Sequence, residues 1–507
     1  MDVILVGGAL ALLALGLRLV VHVGATPSGV DTWYYLASAD QLRRTRRLPI
    51  RLPQYLLQDE TESYPPGFVV FLALIPGGFL RRAFWLVSPM IDAVHLLLLY
   101  TVTYLLTGSL LAAALGGFIY ALVPQLVAET RSLNPRSLAV LMSSTAMLLI
   151  LRFTLPAGEA AGLRLGAEPW YVAVLAILAV SALFLTGPTA GIALGISTSV
   201  LSVLYRDWRY AAFTLVGFGA AFILSRGLYA RVLMNHVHAI RFWRRNLRYR
   251  DADPIADSPV YGSGSASGVR RPARWRSPRW QALRLIGENP FVIPMVLTPL
   301  PGDEWWGGRM HWWALSVLAW AAATTFVPPL RIFGPGYIYL KASIFPTAFV
   351  LALGTEGRAL TSPAGLLLVA ATAVSAAAIA FFIVYTRRKT TERTSSLPPG
   401  LARVTSTLAR LPADGVLVLP AMYADYVCYN SGKRTLWGGH SGDLRRFEAI
   451  FPVIRRPLDE LIAEYDLHYV LLDLSYVAPP QIRLADVLRE IAREDRFALY
   501  DTGGRDH

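Results

Sequence analysis

The chain has 507 residues, 54% of them hydrophobic and only 16% charged, whereas a soluble domain usually carries about 25% charged residues. This composition excludes a purely soluble enzyme and a disordered chain, and the 40 glycines and 33 prolines lack the period of a fibrous protein. The net charge of +14 is nearly all arginine, since Lys341, Lys389 and Lys433 are the only lysines. We therefore expect a polytopic membrane protein whose arginines bind anionic lipid headgroups or a phosphorylated substrate, and no nucleic acid.

Apolar segments long enough to cross about 30 Å of hydrocarbon recur along the first 390 residues. The first, residues 3–23, lacks the basic flank of a cleaved signal peptide and is predicted to be a retained helix. The short apolar stretch 68–75 is predicted to be a re-entrant or interfacial helix, which leaves eleven spans and puts the termini on opposite sides. The ten further predicted spans are 84–106, 109–127, 137–155, 169–186, 188–204, 210–230, 287–300, 311–330, 337–354 and 362–385.

The first polar loop, residues 24–66, carries Asp31 before an aromatic stretch and a run of four arginines. Residues 32–47 have the pattern of an amphipathic helix lying in the membrane interface, with the arginines in its last turns, where they complement the helix dipole. Asp31 is predicted at the N-cap of this helix. It is either a cap alone or also a positioned base, because backbone N–H groups orient a cap carboxylate.

A second acidic position, Glu129, follows the span at 109–127 and has Arg131 and Arg136 within seven residues. A carboxylate at the end of a span with two arginines nearby is either an ordinary interfacial ion pair or part of a site. With eleven spans, Asp31, Glu129, residues 186–189, residues 331–337 and the C-terminal domain all face one side of the membrane. We adopt that arrangement because it gathers the polar candidates around one cavity.

Arg331, Tyr337 and Lys341 form a third polar candidate at the start of the span at 337–354. Lys341 would lie four residues into this span, where an ionisable side chain is costly unless it faces a cavity or a partner. The alternative is that its ammonium group reaches back to the interface.

Weaker candidates lie elsewhere in the membrane segments and in the loop at 231–290. Asp92 and His95 share one face of a span and fit a packing pair better than a proton relay. The loop carries a net charge of +7 within residues 235–290 and is predicted to be flexible. Its Arg/Trp run at 270–280 fits anionic lipid or the donor phosphate. Four residues of the loop have metal-capable side chains: His236, His238, Asp251 and Asp253.

Residues 391–507 are predicted to form a small soluble α/β domain, after a transmembrane domain that spans residues 1–390. Strands are expected at 415–419 and 469–474, and a helix at 458–464. Trp437 and His440 of this domain either line a sugar site or belong to a tight turn.

Several motifs, in this order and spacing, resemble those of the GT-C glycosyltransferases, which are integral-membrane enzymes that use polyprenyl-phosphate-linked sugars. They are Gly29-Val-Asp31-Thr-Trp-Tyr-Tyr, Tyr64-Pro-Pro-Gly67, and Glu129 with Asn134-Pro-Arg136. The family includes oligosaccharyltransferase catalytic subunits and protein mannosyltransferases. One departure concerns Trp305-Trp306, which Gly307 follows where oligosaccharyltransferases carry a Trp-Trp-Asp motif. This departure argues against protein N-glycosylation.

The resemblance implies a GT-C-like helical membrane fold and an inverting transfer of a sugar from a polyprenyl-phosphate donor to a glycan, lipid or protein acceptor. The active site and the C-terminal domain would lie at the outer face of the cell membrane. Asp31 would be the base, and Glu129 would orient the acceptor or, with Asp31, hold a divalent cation, Mg²⁺ or Mn²⁺. The implied substrate-binding residues are Tyr64, Arg131, Arg136, Arg331, Tyr337 and Lys341.

Two other classes of function remain open at this stage. A transporter or flippase of lipid-linked glycans would share the many spans and the basic loops. Such proteins often have repeated halves, and the sequence has no internal repeat. A non-catalytic scaffold of a cell-envelope complex would not need Asp31 or Glu129.

Overall fold

The computed structural model describes residues 1–22, 30–57, 64–154, 169–249, 252–262, 277–298, 305–355, 361–391, 397–438 and 444–503. These residues are mostly helical and include one small sheet. They divide into two compact units, each built from separate parts of the chain. Unit 1 comprises Met1–Ala25, Ala83–Tyr229 and Arg274–Arg388. Unit 2 comprises Thr26–Arg82, Ala230–Ala273 and Lys389–His507.

The α-helices and strands are numbered in chain order. The helices of the first half are α1 Asp2–Leu19, α2 Val30–Thr45, α3 Gly67–Leu74, α4 Gly77–Thr107, α5 Leu110–Ala121, α6 Pro124–Glu129, α7 Arg136–Thr154, α8 Pro169–Phe184, α9 Pro188–Leu204, α10 Arg209–Leu224 and α11 Leu228–Asn246. The later helices are α12 Pro278–Glu288, α13 Val292–Leu297, α14 Trp305–Phe326, α15 Lys341–Thr355, α16 Pro363–Thr391, α17 Pro399–Arg410, α18 Ala424–Ser431, α19 Leu444–Phe447 and α20 Leu458–Glu464. The strands are β1 Val416–Leu419, β2 Tyr469–Asp473, β3 Arg489–Glu494 and β4 Phe497–Asp501.

The helices of unit 1 confirm a helical membrane fold but not the predicted count of eleven spans. In the described part of the chain, α1, α4, α7 and most of α16 are long and apolar enough to cross a membrane. A fifth crossing results if α10 and α11, bent by 116° at their junction, form one span. The helices α5, α8, α9 and α15 are apolar but shorter, with 10–17 residues.

The single span predicted at 287–300 is wrong. α12 ends at Glu288, and Asn289 leaves the helical conformation with φ −144° and ψ 85°. Asn289 precedes Pro290, and a residue before proline avoids the α region. The next helix, α13, has only six residues, too few to cross the hydrocarbon.

α15 lies at the centre of unit 1, where every residue from Lys341 to Ala352 is buried. α14, α5, α7 and α9 pack around it through the main apolar cluster. Small residues allow this close approach: Gly116 of α5 lies against Ala352 of α15, where an added methyl group would be at 3.4 Å. Lys341, the polar first residue of α15, therefore begins an apolar helix that packs against other helices on all sides.

Unit 2 is built on a four-stranded sheet of order β1-β2-β4-β3. β1 and β2 are parallel, and the other neighbours are antiparallel. Alternate residues of β1, β2 and β4 point to opposite faces, and both faces are covered. α17 and α18 cover one face, and α19 and α20 cover the other. The two strands and the helix predicted in this region are confirmed, whereas β3 and β4 were not predicted.

Segments from both polar loops are folded into unit 2. Tyr55 of the first loop donates a hydrogen bond of 2.6 Å to Asp425 of α18. Ser258 and Tyr261, within the loop predicted to be flexible, bond to Ile454 O (2.5 Å) and to Leu458 N (2.7 Å). These two residues are buried, so residues 252–262 are a fixed part of the unit.

Candidate active site

The strongest cluster of charge in unit 1 surrounds Glu129, the last residue of α6. Its carboxylate forms an ion pair with Lys341 at the start of α15 and lies 3.2 Å from Nη1 of Arg136 at the start of α7. Lys341 is 3% exposed and Glu129 14%, whereas Arg136 is 42% exposed. The structure therefore brings together Glu129, Arg136 and Lys341, three predicted site residues that are not adjacent in sequence. The buried ammonium group of Lys341 faces a carboxylate.

The turn from α6 to α7 is shaped by Asn134, which is 1% exposed. Its amide donates hydrogen bonds to the carbonyl oxygens of Glu129 (3.2 Å) and Ser132 (3.1 Å), and its Oδ1 accepts from Arg136 N at 3.0 Å. An asparagine side chain can bond its own backbone in this way, and Pro135 then fits just before the first residue of α7. This local network fixes the spacing between Glu129 and Arg136.

A cleft next to this ion pair is lined by the first turns of three helices. The cleft is small and partly open to the surroundings. The lining residues are Arg136, Ala139 and Val140 of α7, Thr189 and Ala190 of α9, and Ile338, Tyr339, Lys341 and Ala342 at the start of α15. The N-terminus of a helix carries a partial positive charge. Together with two cationic side chains, the three helix ends give this cleft a positive character that suits an anion.

Gly187 explains how α9 reaches the cleft. It precedes Pro188, the first residue of α9, and a Cβ at position 187 would lie 2.5 Å from Cβ of Ala139 in α7. Only glycine allows the N-terminus of α9 to lie this close to α7. Thr189, within residues 186–189, lies at this cleft.

Tyr337 connects the cleft to two residues that the sequence did not single out. Its carbonyl oxygen accepts a 2.5 Å hydrogen bond from Gln125, one turn before Glu129 in α6. Its ring lies under the guanidinium group of Arg284 in α12, with the Cζ atom 3.6 Å from the ring centre. Arg284 also pairs with Glu288 at 3.2 Å. Burial raises the pKa of Glu288, and the nearby Arg284 opposes that rise.

Arg131 and Arg331, both predicted to bind substrate, have other contacts. The guanidinium of Arg131 lies 5.6 Å from the ring centre of Phe382 in α16. Nε of Arg331 donates to Thr325 O at 3.2 Å, near the end of α14. Neither side chain lines the cleft.

Asp31 lies in unit 2, in the first turn of α2. It lies within the described helix, so its predicted N-cap position is wrong. One turn later, Tyr35 is buried, and the ring of Tyr64 packs edge-on against that of Tyr34, with the ring centroids 6.5 Å apart. The pKa of Tyr35 is raised well above its ordinary value, first by burial and then by the nearby Tyr64 and Asp31. Asp31 and Tyr64, two predicted site residues, thus share the environment of Tyr35.

The surroundings of Glu129 do not fit a divalent cation. Its partners are an ammonium and a guanidinium group, whereas Mg²⁺ and Mn²⁺ need several oxygen ligands. Among the described residues, no group of three His, Cys, Asp or Glu side chains is placed to hold a metal ion. Asp251 and His440 lie outside the described residues. Trp437 is a core residue of unit 2, and a Cβ on the neighbouring Gly438 would lie 2.5 Å from Asp425 Oδ1.

Comparison with solved structures shows which fold this chain shares. No family model matches the sequence, and no curated protein sequence does so. The structure of ArnT from Cupriavidus metallidurans in the apo state aligns with a TM-score of 0.62 and 13% identity over 98% of each chain. Its complex with undecaprenyl phosphate aligns with a TM-score of 0.61 and 13% identity, over 99% of this chain and 98% of that one. The fold is that of the GT-C glycosyltransferases.

A second solved structure agrees. The archaeal oligosaccharyltransferase AglB from Archaeoglobus fulgidus, in complex with an inhibitory peptide and a dolichol-phosphate, aligns with a TM-score of 0.55 and 12% identity. The alignment covers 94% of this chain and 69% of AglB. The described helices that are long and apolar enough to cross a membrane agree with this fold.

Proposed function

We propose that the protein is a membrane glycosyltransferase that takes a sugar from a polyprenyl-phosphate-linked donor. One observation carries the proposal: the cleft where α7, α9 and α15 begin joins Arg136 and Lys341 with three helix N-termini. An anion site of this kind suits a phosphate group. The ArnT structure aligned above was solved with undecaprenyl phosphate and the AglB structure with a dolichol-phosphate, which supports a lipid phosphate as the ligand.

Lys341 is the main phosphate ligand in this proposal. Its ammonium group is buried, so it must have an anionic partner, and Glu129 is that partner in the structure. A phosphate that enters the cleft would replace Glu129 as the anionic partner of Lys341. It would also bind Arg136, at the more exposed side of the cleft. The positive charge would then be strongest where negative charge develops on the leaving phosphate, as transition-state stabilisation requires.

Glu129 has two roles in this account. It neutralises Lys341 while the cleft holds no phosphate, and it is free to bind an acceptor hydroxyl once the phosphate has replaced it. We do not assign a metal ion to this step, because the partners of Glu129 are cations.

Asp31 is proposed as the base. The acceptor oxygen would attack the anomeric carbon, the bond from that carbon to the phosphate oxygen would break, and the acceptor proton would pass to Asp31. The polyprenyl phosphate leaves as an anion, so charge and protons balance. One displacement of this kind inverts the anomeric configuration. The sugar is a hexose or a pentose, and the acceptor a glycan, a lipid or a protein.

The topology is part of the proposal. We propose that the cleft and the C-terminal segment lie at the outer face of the cell membrane. Cysteine-accessibility labelling tests this arrangement, with single cysteines introduced into a variant in which Cys428 is replaced. Reagents that do not cross the membrane should modify exposed positions of unit 2 in intact cells.

Native mass spectrometry of the detergent-purified protein tests the ligand. We expect wild type to retain a polyprenyl phosphate or its glycosylated form, and Asp31→Asn to retain more of the glycosylated form because transfer is blocked. Lys341→Met should lose the lipid. Bulk phospholipid alone, in equal amounts in all three proteins, would refute the proposed donor and favour a transporter or a scaffold.

A further inference from the structure

A buried polar network crosses unit 1 below the cleft. Arg18 of α1 forms an ion pair with Asp92 of α4 and donates to the carbonyl oxygens of Ala14 and Ala121, each at 3.1 Å. Tyr120 of α5 donates to Asp92 Oδ1 at 2.7 Å. Arg18, Asp92 and Tyr120 are all at most 2% exposed.

His95 extends the network to α7 and α15. Its Nδ1 lies 2.9 Å from the hydroxyl of Tyr120, and its Nε2 lies 2.9 Å from Oγ of Ser144 in α7. Its ring stacks on Phe345 of α15 with a centroid distance of 5.5 Å and an angle of 14° between the planes. His95 is 2% exposed.

The available protons set the direction of the hydrogen bonds in this network. Tyr120 has a single hydroxyl proton, which it donates to Asp92. The hydroxyl oxygen therefore accepts from Nδ1–H of His95, and when this ring is neutral its Nε2 accepts from Ser144. Each hydrogen bond along the series Ser144, His95, Tyr120 and Asp92 thus points toward the carboxylate that Arg18 balances.

The network meets both chain segments that bring the Glu129–Lys341 pair together. Ala121, the last residue of α5, is bonded to Arg18, and the chain then enters α6, which ends at Glu129. Phe345 lies one turn after Lys341 on α15, and Ser144 lies one turn after Val140, which lines the cleft. The positions of both partners of the ion pair are therefore connected to the same set of buried polar contacts.

Stability alone does not account for such a network. A buried ion pair gains little over well-packed apolar side chains, and ionisable side chains within a membrane segment are costly. Hydrogen bonds are directional, whereas apolar contacts are not. They therefore fix the rotation of one helix relative to another and its displacement along the helix axis.

We propose that His95 and Tyr120, with the Arg18–Asp92 pair, are positioning residues for the cleft. They hold the end of α5 and the first turns of α15 in the arrangement in which Lys341 faces Glu129 and the bound anion. This role rests on the proposed function for the identity of the anion, but the positioning of Lys341 can be measured without any ligand.

Amine labelling of Lys341 is the test. The chain has only three lysines, so peptide mass spectrometry follows the reaction of Lys341 with an N-hydroxysuccinimide ester separately from that of Lys433. Lys433 donates to Leu411 O within unit 2 and serves as the internal reference. Tyr120→Phe and His95→Phe keep the rings and remove hydrogen bonds. We expect each to increase the rate at Lys341 at least about fivefold relative to Lys433, since each removes two hydrogen bonds and the net loss of one corresponds to about fivefold.

Ser181→Ala is the matched control. It removes another buried hydrogen bond between helices, from Ser181 of α8 to Gly217 O of α10 at 2.8 Å, and neither helix lines the cleft. It should leave the rate at Lys341 unchanged. Unchanged rates in folded Tyr120→Phe and His95→Phe proteins would overturn the proposal, and so would an equal increase in Ser181→Ala.

The same proteins are then titrated with undecaprenyl phosphate in detergent. We expect Tyr120→Phe and His95→Phe to raise the Kd about fivefold and Ser181→Ala to leave it unchanged. If labelling of Lys341 responds as expected but wild type does not bind the lipid, the positioning role stands and the proposed ligand is wrong. If wild type binds the lipid but neither labelling nor Kd responds in the two network variants, the positioning role is wrong.

Discussion

Glu129 and Lys341 should affect phosphate binding in opposite directions. If Glu129 occupies Lys341 until a phosphate replaces it, Glu129→Gln removes a competitor for the ammonium group and tightens binding. Lys341→Met removes the ligand itself and weakens binding. Both substitutions keep the approximate size of the side chain, so the difference reports charge.

The magnitude follows from the geometry. Glu129 forms an ion pair with Lys341 and lies 3.2 Å from Arg136, so a phosphate that shares both cations must lie within about 6 Å of the carboxylate. Repulsion between unit charges at this separation is about 3 kcal/mol at an effective dielectric constant of 20. Because Glu129 is 14% exposed, water reduces this to about 1–2 kcal/mol, or about 5- to 30-fold in Kd.

The loss in Lys341→Met is larger. A hydrogen bond to a charged group contributes about 1.5–3 kcal/mol, so we expect a Kd about 10- to 150-fold higher. Microscale thermophoresis with undecaprenyl phosphate in detergent measures both constants, well below the melting temperature of each variant. Weaker binding by Glu129→Gln, with the protein folded, would refute the exchange of Lys341 between carboxylate and phosphate.

Three further substitutions test other parts of the account. Asp31→Asn should abolish sugar transfer without lowering the melting temperature by more than a few degrees, because the amide keeps the shape of the side chain and lacks its basicity. Gly187→Ala should raise the Kd for undecaprenyl phosphate about 5- to 10-fold, since overpacking against Ala139 costs about 1–3 kcal/mol and displaces the start of α9. Gly438→Ala should lower the melting temperature of unit 2 and leave the Kd unchanged, because a Cβ there would clash with Asp425 and Tyr55.

Each of these three has a plain contrary result. Residual transfer by Asp31→Asn would remove Asp31 as the base. Unchanged affinity of Gly187→Ala would show that α9 does not contribute to the anion site. A normal melting profile of Gly438→Ala, followed by differential scanning calorimetry, would contradict the close packing of this glycine.

The single residues of the site could be predicted from the sequence, but their grouping could not. Glu129 and Lys341 stood out because charged side chains beside apolar segments are costly. Nothing local indicates that α6 and α15 meet, since their contact depends on how α5, α7 and α14 pack around α15. The hydrogen bond from Gln125 to Tyr337 O brings residues 331–337 to α6, whereas the count of spans that placed them on the side of Glu129 included the incorrect span at 287–300.

The N-termini of helices illustrate which features could be predicted from the sequence and which could not. Pro188 is the first residue of α9, a position that proline favours, and Pro135 immediately precedes α7. The convergence of these N-termini depends on tertiary packing. Its trace in the sequence is Gly187, where a Cβ would collide with Ala139. β3 was missed because it is an edge strand with a charged, largely exposed pattern instead of apolar alternation.

The central claim is that the cleft between α7, α9 and α15 binds the phosphate of a polyprenyl lipid. A cryo-electron microscopy structure of the wild-type protein with added undecaprenyl phosphate tests it most directly. We predict phosphate density in this cleft, within hydrogen-bonding distance of Lys341 Nζ, with Glu129 no longer paired to that atom. Density for the phosphate at another place, with the Glu129–Lys341 pair intact, would contradict the account.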